Sequence, residues 1–268
     1  MSPTDLSLLN LHAWLEQYLM LLLVSSVRMS VLMIVFPPTS KETLQGSVRT
    51  GISLVWSSII AYGQKASLPQ MHGLFAVGLL AKEAIIGLAL GYAASLVFWA
   101  AESAGTYIDD LTGYNNVQMS NPNGEQVSLT STLLSQFAIA AFWLLGGMTF
   151  LLGAVYESYR WWPLESLTPV PAAILESFAI RQADSLMQMT AKLAGPVMLA
   201  LMLIDIGFGL AGKASQKLDL QSLDRPVKGL VTVLMLALLA AVFVDQVRGQ
   251  LALVDFRSEA KALMHGQN

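Results

Sequence analysis

The sequence predicts an all-α, multi-helix integral membrane protein of kinked helices and helical hairpins, and three observations carry that prediction. Charged residues make up 12% of the chain against 54% hydrophobic residues, with a mean hydropathy of +0.57, whereas soluble domains average roughly a quarter charged. The hydrophobic residues gather into six runs with a helical pattern, at about residues 14–36, 51–62, 73–101, 133–156, 186–211 and 229–244. No long polar block separates a soluble domain from these runs, so residues 1–268 are expected to form a single unit.

In chain order, the first run follows residues 1–10, which carry Asp5 and no Lys or Arg. Without a basic n-region or a small-residue cleavage site, this run is expected to be retained rather than removed as a signal peptide. The second run, 51–62, is short. In the third, Gly87 and Gly91, continued by Ala94 and Ser95, form a small-xxx-small face that lets another helix approach closely. A span needs roughly 20 apolar residues; only residues 84–101 and 126–156 approach or exceed that length without Asp, Glu, Lys or Arg. Pro196, inside the fifth run, removes one helical hydrogen bond and is expected to kink or start a helix. Residues 249–268 follow the sixth run as a short tail.

Charged side chains fall inside these runs, among them Arg28, Lys82, Glu83, Lys192 and Asp205. A charge at bilayer depth costs at least about 2.5–3.5 kcal/mol on insertion scales and normally faces a bundle interior or a wet cavity. Many of the helices are therefore expected to face protein. For Arg28 and Asp205 two readings stand open, ion pairing between helices and a direct part in transport. Lys82 and Glu83 are adjacent, so on a helix they point about 100° apart and are expected to take different partners. If all six runs span, Lys41, Arg49, Lys213, Lys217, Arg225 and Lys228 fall on one side and Lys65, Arg160, Arg181, Arg248, Arg257 and Lys261 on the other, an even split that gives no orientation.

Several function classes are excluded. A net charge of −3 with interspersed signs lacks the basic footprint of a nucleic-acid binder. The absence of cysteine rules out disulfides and thiolate metal sites without reporting the compartment. Residues 207–214, GFGLAGKA, come near a phosphate-binding loop, but Ala214 stands where a Ser or Thr would hold magnesium and no strand precedes it. His12, His72 and His265 have no partner at ligand spacing, and there is no Gly-x-Ser-x-Gly elbow. No catalytic, cofactor or metal site is expected.

Residues 102–128 read ESAGTYIDDLTGYNNVQMSNPNGEQVS. Gly105, Gly113, Asn115, Asn116, Asn121, Pro122, Asn123 and Gly124 are turn formers, which predicts a loop or a broken helix. Long segments of this kind are usually functional or disordered. Tyr107, Ile108, Leu111, Val117 and Met119 give it apolar surface with which to dock, and irregular backbone at membrane depth is tolerated where it is buried in protein or lines a pore.

The run E-x-x-G-x-x-I-D-x-x-x-G at 102–113, followed by N-P-x-G-E-Q-x-S at 121–128, resembles the T subunit of the type III secretion export apparatus, the SctT/FliR family. Lys82-Glu83 with Gly87, Arg28 followed by Pro37 and Arg49, and Ala194-Gly-Pro-Val197 leading to Asp205 and Pro226-Val-Lys228 fall in the order of that family. The resemblance covers about residues 14–250. Where the family commonly has Pro-Gln-Leu-Asn, this chain has Gln216-Lys217-Leu218-Asp219, a departure confined to one loop. The Gly-Glu-Gln-x-Ser element resembles the injectisome branch more than the flagellar branch.

The resemblance implies a non-enzymatic component of an export gate in the bacterial inner membrane, packed in a helical assembly beside R and S subunits and needing no cofactor. Further neighbours it implies are the U switch subunit, the inner rod or needle, lipid, and unfolded secreted proteins in transit. It also implies a plug in the closed channel at residues 106–126, formed by Tyr107, Ile108, Asp109, Gly113, Asn116, Met119, Pro122, Glu125 and Gln126, and it sets Arg28, Lys82, Glu83, Lys192 and Asp205 against protein or a wet pore. The same charges, with Pro196, also fit a secondary transporter with a midplane site for a small solute, although no internal repeat supports that alternative.

Overall fold

A computed structural model describes residues 3–40, 43–63, 74–113, 119–120, 126–164, 172–214 and 221–251. Among these lie seven α-helices: α1 Pro3–Val35, α2 Gly46–Gly63, α3 Leu74–Thr112, α4 Leu129–Leu144, α5 Gly147–Trp161, α6 Ala172–Ala214 and α7 Gln221–Leu251. A 3-10 turn, Pro37–Thr39, follows α1. Two short strands, β1 Met119–Ser120 and β2 Gln126–Val127, pair antiparallel with Met119 opposite Val127. Helices α1, α3 and α6 are long and apolar enough to cross a membrane, and α4 with α5 adds a fourth if the broken pair counts as one span.

Several helices begin earlier or end later than the expected runs, and three differences bear on the site. The apolar run 133–156 is two helices, because Gly146 adopts φ 71° and its N–H closes onto the Trp143 carbonyl; a left-handed glycine after the last turn is a common helix terminator. Helix α3 does not stop near residue 101, and residues 106–112, expected to open the loop, are its last turns. Val97, Ala101, Ala104, Ile108 and Thr112 are all buried at helical spacing, so the inward face continues although the intervening residues turn polar. Helix α6 runs through Pro196. Residues 207–214, the phosphate-loop lookalike, are its last turns.

The chain divides into two compact units, Met1–Ser95 with Thr149–Ser177, and Leu96–Met148 with Phe178–Asn268. In the first, α1 and α2 are antiparallel and joined by serines: the hydroxyls of Ser30 and Ser53 lie 3.0 Å apart, and Ser25 and Ser57 each donate to the other's carbonyl at 3.4 Å. The seam between α1 and α3 runs parallel, with Gly87 against Arg28, Gly91 against Leu32, and the Ser95 hydroxyl 3.3 Å from the Val35 carbonyl. A Cβ at Gly87 would overlap the Arg28 carbonyl oxygen and lie 3.1 Å from its Cα, so this is backbone packed on backbone. The expected small-residue face is thus the α1 contact. In lipid, where apolar side chains gain little by leaving the hydrocarbon, such close packing and polar contacts hold helices together.

The second unit is built on the end of α3. Gly105 abuts the start of α4, where a Cβ would stand 2.7 Å from the Thr130 carbonyl carbon. Phe98 meets Phe142 edge to face at 5.8 Å. Ile108 packs with Val197 and Leu201 of α6, flanked by Leu111, Ile204, Met235 and Leu236.

These contacts set the tolerance of individual glycines. Gly87→Ala and Gly105→Ala force backbone apart and are expected to destabilise by about 1–3 kcal/mol. Gly153→Ala, in α5 with nothing within 4 Å of its Cβ position, is expected to be neutral or stabilising by up to about 1 kcal/mol. The amount of each variant retained in the membranes of cells that naturally make the chain measures the contrast, and equal amounts for all three would contradict the packing described.

Candidate functional site

Arg28, Lys82 and Glu83 come together in the first unit. Helix α1 carries Arg28 and α3 carries Glu83, both with side chains 0% exposed. The guanidinium grips the carboxylate with two parallel bonds, Nε to Oε2 at 2.8 Å and Nη2 to Oε1 at 3.0 Å, the fork geometry that makes arginine–carboxylate pairs strong. Its other contacts come from α5 and the residues just after it. Nη1 donates to the Ser158 hydroxyl at 2.7 Å, Nη2 to the Trp162 carbonyl at 3.1 Å, and Cζ lies 3.8 Å above the Tyr159 ring, within cation–π range. The Tyr159 hydroxyl returns to α1 at the Ser25 carbonyl, 3.0 Å away. All three nitrogens of Arg28 therefore have protein partners, and of its two open readings this geometry favours ion pairing.

Lys82 corrects one expectation. Its ammonium reaches Glu83 Oε1 at 3.1 Å as well as the Pro163 carbonyl at 2.7 Å, so the neighbours share a partner. The flexible four-carbon stem of lysine bends across the 100° between their directions.

The second unit holds two further polar clusters. Asp109 is 1% exposed and faces the first turn of α4, accepting from the Ser128 hydroxyl, the Thr130 N–H at 2.8 Å and the Thr130 hydroxyl. Ser128, the residue before α4, also accepts from the Ser131 N–H at 3.3 Å. Two side chains thus satisfy first-turn N–H groups that have no partner within the helix. The other cluster joins α6 to α7: Lys228 contacts Asp205 and, at 3.0 Å, Asp224. The Asp205 side chain is 46% exposed, whereas the Lys228 side chain is 9% exposed.

The remaining sequence-predicted residues are not gathered into one place. Lys192 is exposed on α6, Tyr107 is exposed near the end of α3, and Ile108 is core. Gly113 ends α3 with φ 74°. Met119 and Gln126 stand in β1 and β2. Asn116, Pro122, Glu125 and the divergent loop 216–219 lie outside the described residues. Of the partners not anticipated, Ser128 carries a local sign, a serine directly before an apolar helical run, and Lys228 lies four residues after Asp224, a helical pairing distance. Ser158, Tyr159 and the carbonyls of Trp162 and Pro163 carry none.

The Arg28 network yields a test by double substitution. Removing one member of a buried pair strands the other and costs about 3–5 kcal/mol, whereas replacing both with apolar residues can be close to neutral. Arg28→Leu is expected to deplete the folded protein in membranes, and Arg28→Lys to retain part of it, because the charge survives without the fork. Arg28→Leu combined with Glu83→Leu should recover stability relative to Arg28→Leu alone. A double variant as depleted as the single one would show that the pair does more than hold helices.

Residues 19–254 match the family described as bacterial export proteins, family 1. Similar proteins include Yop proteins translocation protein T of Yersinia pestis, 31% identical over 209 residues, which covers 76% of this chain and 80% of that relative. Secretion system apparatus protein SsaT of Salmonella typhimurium is 29% identical over 230 residues, covering 82% and 87%. Flagellar biosynthetic protein FliR of Escherichia coli is 22% identical over 236 residues, covering 87% and 85%. With several helices able to cross a membrane and a match that takes in all but the first turns of α1, the chain belongs to family 1 of the bacterial export proteins and is a multi-pass protein of the inner membrane.

Proposed function

We propose that this chain is a subunit of the export gate of a type III secretion apparatus, forming with R and S subunits the inner-membrane pore through which unfolded proteins leave the cell. The observation that carries this reading is the family match along residues 19–254, shared with relatives named for translocation, secretion and flagellar biosynthesis. The higher identity to the translocation and secretion proteins, 31% and 29% against 25% and 22% for two flagellar proteins, supports the injectisome branch. The role is structural rather than enzymatic. Helices α2 and α7 are not among the candidate spans, yet they leave Val55, Ile59, Tyr62, Leu230, Val233 and Leu238 uncovered; apolar surface of this kind suits neighbouring subunits. The U switch subunit and the inner rod or needle complete the proposed set of neighbours. A small-solute transporter is less well supported, because the buried arginine is fully engaged by protein.

Within that gate, the segment from Gly113 to Gln126 acts as the plug, a turn-rich stretch whose Asn and Gln side chains can hydrogen-bond in a wet constriction without adding charge. Tyr107 lies on the helical stem that leads into it.

Two outcomes test the proposal. Expressed alone, the chain should aggregate or be degraded, and co-expression with R and S subunits should rescue it; a well-behaved solitary protein that never co-purifies with them would overturn the assignment. Deleting residues 114–121 while keeping Gly113 should leave the complex assembled but raise ion conductance or small-solute uptake across the inner membrane. A fully assembled deletion complex as tight as the parent would sink the plug assignment alone.

A further inference from the structure

We propose that Asp109 is a positioning residue that fastens the base of the segment between α3 and α4; the inference deepens the plug reading and rests on it. The carboxylate stands in the last turns of α3 and takes three hydrogen bonds, all from the start of α4: the Ser128 hydroxyl, the Thr130 N–H and the Thr130 hydroxyl. One buried side chain therefore ties the exit of one helix to the entry of the next. Three independent features fix the same junction. Gly105 admits α4 at backbone contact. Gly113 turns the chain out of α3 through a positive φ that other residues rarely adopt. Met119 and Ser120 pair with Val127 and Gln126, which brings the two arms of the segment together.

The junction calls for a carboxylate rather than for any acceptor. Three donors converge on two oxygens; an amide keeps only one accepting oxygen, and its N–H₂ finds a partner only if the Thr130 hydroxyl turns round to accept. The partial positive charge at the N-terminus of α4 also favours an anion there. Asp109 is thus read as acting at the root of the segment, where it holds the two helix ends and touches nothing that passes through the channel.

The chain has no cysteine, so Thr106→Cys and Thr132→Cys, exposed positions on α3 and α4, take spin labels without background. In the complex assembled with its partner subunits, the label-to-label distance distribution reads the fastening, and small-solute leak per assembled complex reads its consequence. The parent should give one narrow distribution. Asp109→Asn should broaden it, with the unfastened population rising about tenfold or more, as loss of a charge-assisted hydrogen bond implies, and leak should rise in parallel. Asp109→Glu, which keeps both oxygens, should recover part of the narrow distribution; an Asn variant as narrow as the parent overturns the proposal whether or not it leaks. Broadening without leak would keep the fastening and remove the plug reading. If Asp109→Asn does not assemble, Thr130→Val decides: it deletes one hydroxyl donor and keeps the backbone N–H, so partial broadening supports the proposal and an unchanged distance overturns it.

Discussion

The contact between Arg28 and Glu83 is the constraint on which the first unit depends. Both groups are fully buried, and in a low-dielectric interior a guanidinium and a carboxylate are tolerable only in direct, hydrogen-bonded contact. That requirement sets how near α1 must come to α3 and at what register. Gly87 lies one turn beyond Glu83, and its missing side chain is what allows the approach, since a Cβ there would overlap the Arg28 carbonyl. Arg28 then draws in α5 through Ser158 and Tyr159. An apolar pair of equal volume could hold the helices as firmly, but it would accept neighbouring registers, whereas the forked bond accepts one.

The second unit solves a related problem with a different device. Asp109 is as deeply buried as the charges of the first unit, and its compensation comes from two hydroxyls and one helix-end N–H, a donor that an α-helix leaves open at its start. Gly105 serves Asp109 as Gly87 serves Glu83, one turn earlier on the same helix and at an equally close backbone contact. Helix α3 therefore carries the same pairing twice, a small residue and an acid four residues apart, once to seat α1 and once to seat α4. The Lys228 cluster follows neither pattern. It is less deeply buried, and its carboxylates flank a single ammonium.

Much of this arrangement was legible in the sequence, and what was not has physical reasons. The motif at 102–113 was visible, but its glycine, threonine and two aspartates look like loop formers. They stay helical because the buried stripe from Val97 to Thr112 continues beneath them and because Asp109 is met by donors about twenty residues on, a compensation no local window contains. The break at Gly146 was hidden for the opposite reason, since two glycines in a long apolar run are ordinary in a membrane helix. The separation of Lys82 from Glu83 followed from helix geometry at the backbone, and it failed because a lysine stem is long enough to cross that angle.

Composition and local periodicity alone determined the membrane class, the presence of the helices, the small-residue seam on α3 and the rule that its charges must be paired, because each of these depends on residues near one another in the chain. Tertiary structure alone decided which groups meet. Besides Glu83, the partners of Arg28, Lys82 and Asp109 are a serine hydroxyl, an aromatic face, two backbone carbonyls and the first turn of another helix. A carbonyl or an N–H belongs to nearly every residue, so it leaves no mark in a sequence until packing brings it within reach of a charge.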